Sequence, residues 1–181
     1  MAEAPEVEAV VAAVEAGTDG IAVPEALLRE EAAAPAADED EPRARSLYAE
    51  IVQMGVPEKI KLALRGNRDA RMILVHDTNR VIRRLVLQNP RITDAEVAAI
   101  TRNKNADDEL LRLIAERRDW VRFYGVRLGL ATNPKTPLAI ALRQLPTLNQ
   151  RDIQQLAKSR NVPSAVATQA RRMLATQGAR R

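Results

Sequence analysis

The chain has 181 residues, 46% of them apolar and 29% charged, with a net charge of +4; that length suits one domain with an appended segment. It has no cysteine and a single histidine, His76. Disulfides, thiolate catalysis and cysteine metal sites are thereby excluded, and the commonest catalytic base and metal ligand is missing from nearly every arrangement.

The average charge hides a split. Residues 1–41 carry twelve acidic side chains against Arg29, a net of −11, whereas residues 42–181 carry 27 Lys and Arg against 12 Asp and Glu, a net of +15. Asymmetry of this size points to partners of opposite sign and says nothing of fold. The chain begins "MAEAPEVEAVVAAVEAG", with glutamates spread through it and no continuous apolar run of the kind a secretory leader needs. Its apolar stretches fall far short of the ~18 residues that cross a bilayer. The expectation is a cytoplasmic protein without membrane insertion.

Residues 1–42 are rich in Ala, Glu and Pro and close on "APAADEDEP". Such a composition buries too little to offset chain entropy, so the segment reads as a disordered acidic tail. Two apolar islands interrupt it. Val7, Val10, Val11 and Val14 fall at helical spacing, and Leu27 and Leu28 follow Pro24; each could form a helix on docking.

From residue 43 onward the texture is of short helices with punctuation between them. "VPEKIKLALRG" has Pro57 in the first turn and Gly66 just past the end. "ITDAEVAAITRN" pairs Thr93 with Glu96 as a capping box. "NADDELLRLIAERR" runs from carboxylates to arginines, as the helix dipole prefers, so Asp107, Asp108 and Glu109 read as first-turn acids rather than a catalytic cluster. "TPLAIALRQL", "NQRDIQQLAKSRN" and "VPSAVATQARRMLATQG" continue the series, and no alternating β-branched run suggests a sheet. The body, residues 43–181, is predicted to be all-α.

Two segments align without gaps at a spacing of 44 residues: "IRRLVLQNP", Ile82 to Pro90, and "VRLGLATNP", Val126 to Pro134. In both, Asn followed by Pro ends a helix; Asn tolerates the left-handed conformation and Pro cannot continue the helix. "VRLGLATNPKTPLAIALRQL", Val126 to Leu145, resembles the unit of the leucine-rich repeat variant proteins, α-solenoids akin to HEAT and armadillo repeats, with "DWVR" before it and a fainter copy at residues 82–98. The resemblance implies a curved stack of helices used for binding, with no shared chemistry. The expected architecture is therefore an all-α, short right-handed α-solenoid of about three repeats, preceded by a disordered acidic tail.

"DWVRFYG" holds Trp120, Phe123 and Tyr124, three of the four aromatic residues of the chain. On one helix these would share a face, and the pattern favours core filling, with Trp120 the ring expected to be partly exposed. Gly125 and Gly129 sit four apart in the same expected helix. Close approach of a neighbouring helix is the favoured reason, and a smooth strip taking a ligand backbone is the alternative. With Arg118 and Arg122 on the same line, and with Arg80, Arg83, Arg84 and Arg127, they outline a candidate binding groove of Arg80, Arg83, Arg84, Arg118, Trp120, Arg122, Gly125, Arg127 and Gly129. Pairing with carboxylates such as Asp77 and Asp119 is the competing role for any single arginine.

No phosphate-binding glycine loop, zinc spacing or activated serine is visible, so no cofactor, metal or enzyme activity is expected. The expected function is a non-enzymatic adaptor that binds an acidic protein surface or tail through a basic concave face. The N-terminal segment would be an intramolecular competitor or a second docking segment. The alternative is nucleic-acid binding by the same stripe, tracking phosphates by charge. A repair glycosylase is a remote third reading, because no catalytic carboxylate or aromatic cleft can be identified.

Overall fold

The computed structural model describes residues 4–30 and 41–178, and all regular structure among them is helical. The chain divides into two compact units, Met1–Ile92 and Thr93–Arg181. The first holds α1 (Ala4–Ala16), a 3-10 turn at Glu25–Leu27, α2 (Glu41–Gln53), α3 (Val56–Arg65), α4 (Arg68–Leu74) and α5 (Arg80–Val86). The second holds α6 (Asp94–Arg102), α7 (Asp108–Glu116), α8 (Arg118–Val121), α9 (Tyr124–Thr132), α10 (Leu138–Gln144), a 3-10 turn at Leu145–Thr147, α11 (Gln150–Lys158) and α12 (Ser164–Gly178). No described helix is long and apolar enough to cross a membrane.

Local chemistry sets most of these boundaries. α3 begins with Pro57 in its first turn and ends at Gly66, where a Cβ would collide with the Leu62 carbonyl of α3 itself and crowd the Ala70 Cβ of α4 at 3.0 Å. α6 opens on the capping box: the Thr93 N–H donates to the Glu96 carboxylate at 2.7 Å and the Glu96 N–H to the Thr93 hydroxyl at 3.3 Å. At α7 Asp108 and Glu109 are first-turn acids as expected, whereas Asp107 is the N-cap, its carboxylate accepting the Glu109 N–H at 2.8 Å.

The expected disordered tail is corrected for residues 4–30. α1 packs against α3, with Val14 fully buried, and Leu27 in the 3-10 turn is 2% exposed. Burying such side chains contributes roughly 1.5–3 kcal/mol each, and composition alone hid them because two apolar islands are diluted among glutamates. Gly17 ends α1 with φ 73°, the left-handed turn that lets the chain leave the helix. Residues 31–40, which contain most of the "APAADEDEP" run, lie outside the described residues.

One arrangement recurs. α3 packs with α5, α6 with α9, and α10 with α12. Ile82, Val126 and Ala170, spaced 44 residues apart, lie on the later helix of each pair and are at most 1% exposed. The two Asn-Pro segments are also built alike. The Asn89 side chain donates to the Ala63 carbonyl at 2.9 Å and the Gly66 carbonyl at 3.3 Å, and its oxygen accepts the Arg91 N–H at 2.9 Å. The Asn133 side chain donates to the Thr101 and Asn103 carbonyls, both at 2.8 Å, and accepts the Lys135 N–H at 2.9 Å. Each asparagine thus satisfies the orphan carbonyls at the end of a preceding helix. The expected left-handed asparagine is a correction: Asn133 has φ −73° and ψ 124°, and no described non-glycine residue has positive φ. The following proline forces that extended backbone, and the side chain, not the backbone, closes the helix ends.

Candidate interaction surfaces

In the Met1–Ile92 unit a set of body side chains grips residues 15–30. Lys61 Nζ donates to the Asp19 carboxylate and to the Ile21 carbonyl, each at 2.6 Å. Arg65 donates to the Glu15 carbonyl at 3.3 Å, and Arg91 to the Leu28 carbonyl at 2.7 Å. Asn67, the N-cap of α4, clamps the chain twice: its backbone N–H donates to the Leu27 carbonyl at 2.7 Å and its side chain to the Ala26 carbonyl at 2.9 Å. Leu27 is the apolar anchor between these contacts.

Arg71 completes the grip. It is 1% exposed, and its guanidinium forks onto Glu30 at 2.7 and 3.3 Å while also donating to the Gly66 carbonyl at 2.9 Å. Forked arginine–carboxylate pairs are the stronger, geometrically specific kind. The Asp19 carboxyl is held below its ordinary range, first by the hydrogen bond from Lys61 and then by the Ile21 N–H and the charges of Lys61 and Arg65, against an opposing effect of burial. None of Lys61, Arg65, Asn67, Arg71 and Arg91 was picked out by sequence reasoning. The signal that could have found Arg71 is its place within "RDARMIL", an arginine on the apolar side of a short helix.

Arg80, Arg83 and Arg84 lie on α5 in this same unit. Arg80 is exposed, Arg83 turns back to donate to the Asp77 carbonyl at 3.0 Å, and the Asp77 carboxylate is taken by Lys59 at 3.0 Å. Arg84 lines an open cleft of about 420 Å³ together with Val81 and Leu85 of α5 and Val7, Val11 and Glu15 of α1.

The remaining candidate residues lie in the Thr93–Arg181 unit. Here the helix breaks at Arg122–Phe123, where Phe123 is the extended N-cap of α9, so Trp120, Phe123 and Tyr124 do not share one helical face. Trp120 is core, 7% exposed, with the Arg117 guanidinium 4.4 Å from its ring centroid. The exposed ring is Phe123 at 44%, reversing the expectation for Trp120. The Tyr124 hydroxyl is hydrogen-bonded to the Asp152 carboxylate and accepts the Asn149 N–H at 3.2 Å. Burial, and then that carboxylate, push its pKa up. Arg127 lies 5.5 Å from the Tyr124 ring centroid.

Arg118 and Arg122 are exposed, and Arg122 pairs with Asp119 at 3.2 Å, a solvated contact of little energetic weight. The glycine-floored groove is corrected. A Cβ on Gly129 would collide with the Thr101 side chain, and one on Gly125 would meet the Ala98 Cβ at 3.4 Å, so the strip is the close packing of α9 on α6. A second cleft, of about 230 Å³, mixes charged and apolar lining, with Arg102, Lys104 and Asp152 beside Leu128, Leu156 and Val162. No family model, curated protein or solved structure matches the chain.

Proposed function

We propose that this chain is a non-enzymatic cytoplasmic adaptor, a short α-solenoid of helical repeats that binds an acidic protein segment on a basic helical surface. Its own residues 15–30 are the resident competitor. The observation that carries the reading is the grip itself: four cations and an asparagine of the body hold an acidic stretch by its carboxylates and its main-chain carbonyls. The 44-residue recurrence of buried positions and of the Asn-Pro clasp supports the solenoid arrangement. Charge steers such encounters as much as it holds them.

A second reading, nucleic-acid binding, is favoured by a different observation. The exposed Phe123 sits among exposed Arg118 and Arg122, and the Thr93–Arg181 unit carries 16 Lys and Arg against 8 Asp and Glu. A ring for stacking beside cations for phosphate is the minimum of a single-strand site.

Fluorescence anisotropy separates the two. The full chain is titrated with a labelled glutamate-rich peptide and with a labelled single-stranded oligonucleotide across a salt series. Saturable peptide binding that outlasts oligonucleotide binding at ~0.15 M salt supports the adaptor. Preferential oligonucleotide binding, with a steep salt slope and loss in Arg118→Glu plus Arg122→Glu at unchanged helicity, supports the second reading instead.

A further inference from the structure

The contacts on residues 15–30 are of two kinds, and the division defines what the surface recognises. Five of them fall on main-chain carbonyls, those of Glu15 at the end of α1, Ile21, Ala26 and Leu27 in the 3-10 turn, and Leu28, and would be met by almost any sequence with the same backbone course. Three are specific to side chains: Asp19 on Lys61, Leu27 in its buried seat, and Glu30 in the fork of Arg71. Main-chain contacts give affinity and spaced side-chain seats give selectivity, which is the division of labour of a peptide-recognition site.

Arg71 makes the carboxylate requirement strong. It is the fourth residue after the N-cap of α4; the fourth residue after the N-cap of α7 is Leu111, fully buried. At the same distance past the N-cap one helix thus buries an arginine and the other a leucine, and the arginine's two terminal nitrogens are turned on Glu30. An occupant that lacked a carboxylate there would leave a guanidinium that is 1% exposed without its forked partner, which is costly. The segment, for its part, has little regular structure beyond the 3-10 turn at Glu25–Leu27.

Resting on the adaptor reading, we propose that the α3–α4 surface recognises an acidic segment of a partner protein, turned as residues 19–30 are by one 3-10 turn, in which an aspartate is followed eight residues later by leucine and eleven residues later by glutamate. Residues 19–30 are the resident copy of that pattern, and a partner binds by replacing them. Because the resident segment is tethered, it competes at an effective concentration on the order of 1 mM. A resident segment of ~10 µM intrinsic affinity therefore weakens any partner segment roughly 100-fold in the native chain.

The test uses the full chain and a fluorescein-labelled peptide of residues 15–30. Against the Asp19→Lys plus Glu30→Lys chain, in which the resident copy is repelled by Lys61 and Arg71, the peptide is expected to bind at least 30-fold more tightly than to the native chain. Replacing Leu27 or Glu30 by alanine in the peptide should cost at least tenfold. A scrambled peptide of identical composition separates the two readings. Equal binding of native and scrambled peptides overturns the pattern and leaves an adaptor for acidic segments; binding of neither overturns both. If the double-lysine chain does not fold, hydrogen exchange of the native chain decides. Residues 15–30 opening at least tenfold more readily than α3 sustains the replacement mechanism, and opening only with global unfolding overturns it. Peptide-bound species of one chain mass identify a partner-type occupant, whereas native chains exchanging segments into dimers overturn it in favour of a second copy.

Discussion

The two compact units use one helical frame for different ends, and the position four residues past an N-cap shows it most clearly. In the Thr93–Arg181 unit that position is Leu111, one more apolar side chain in a closed core. In the Met1–Ile92 unit it is Arg71, equally buried, whose carboxylate arrives from Glu30, 41 residues away in the chain. A core leucine is satisfied by whatever packs on it; a core arginine is satisfied only by a group that brings charge and geometry. The first unit is thus complete only when an acidic segment lies on it.

Two substitutions at this position test the contrast with the largest expected effect. Leu111→Ala should cost about 2–5 kcal/mol in urea unfolding, the transfer and cavity cost of a buried leucine. Arg71→Leu should cost less, because the carboxylate it leaves unpaired, that of Glu30, is 40% exposed and not buried. The helical body should remain intact, while hydrogen exchange of residues 15–30 accelerates as Glu30, 40% exposed, returns to water. A loss of stability in Arg71→Leu as large as that in Leu111→Ala would mean that the arginine is held by the body alone.

Legibility in the sequence followed how local the determinant was. The capping box at Thr93, the stop at Gly66 and the helices on either side of Asn133-Pro134 were readable because capping, turn chemistry and helical period act within a few residues. The Asn-Pro pair was legible as punctuation and not as a clasp, since the partners of Asn89 lie 23 and 26 residues upstream and those of Asn133 lie 30 and 32 upstream. The aromatic stretch failed for a related reason: a single helix over residues 118–132 would align three rings, but the break before Phe123 turns Trp120 inward and leaves Phe123 outside. The grip on residues 15–30 was hidden because each of its bonds spans some 40 residues or more, and because low mean hydropathy conceals single anchors such as Leu27.

The Asn-Pro clasp is the feature in which the units agree, and it supplies the next effect in size. Asn89→Ala and Asn133→Ala each remove donors from two helix-end carbonyls, and each should destabilise its unit by about 1–3 kcal/mol in chemical denaturation. Similar costs would confirm a common device. A large cost at one asparagine and none at the other would show that the resemblance is in sequence only.

The paired glycines of α9 sharpen the comparison from the other side, because their counterparts in α5 at the 44-residue spacing are Val81 and Leu85. Gly129→Ala forces a methyl into the Thr101 side chain and backbone, an overpacking cost of about 1–3 kcal/mol only partly offset by about 1 kcal/mol of helix propensity. Gly125→Ala meets the Ala98 Cβ at ordinary contact distance, so there the propensity gain should prevail by up to about 1 kcal/mol. Opposite signs in paired thermal melts are the expected outcome. A stabilising Gly129→Ala would restore the open strip that the packing against α6 rules out.

The smallest effect concerns the charge that only the first unit uses. The Asp19 carboxyl has its folded pKa lowered, chiefly by the Lys61 hydrogen bond, so its contribution is present above the unfolded carboxylate value near 4 and is lost as the pH falls through the folded value below that. Asp19→Asn should therefore differ from the native chain in the protection of residues 15–30 at pH 6, and the difference should shrink toward zero as the pH is taken below about 4. The same titration should leave the protection of α9 equal in the two chains, since Asp19 makes its contacts on α3. A difference that persists unchanged at acid pH would show that Asp19 acts through its shape in the turn before Ile21 rather than through its charge, and would remove one of the three side chains that define the acidic pattern.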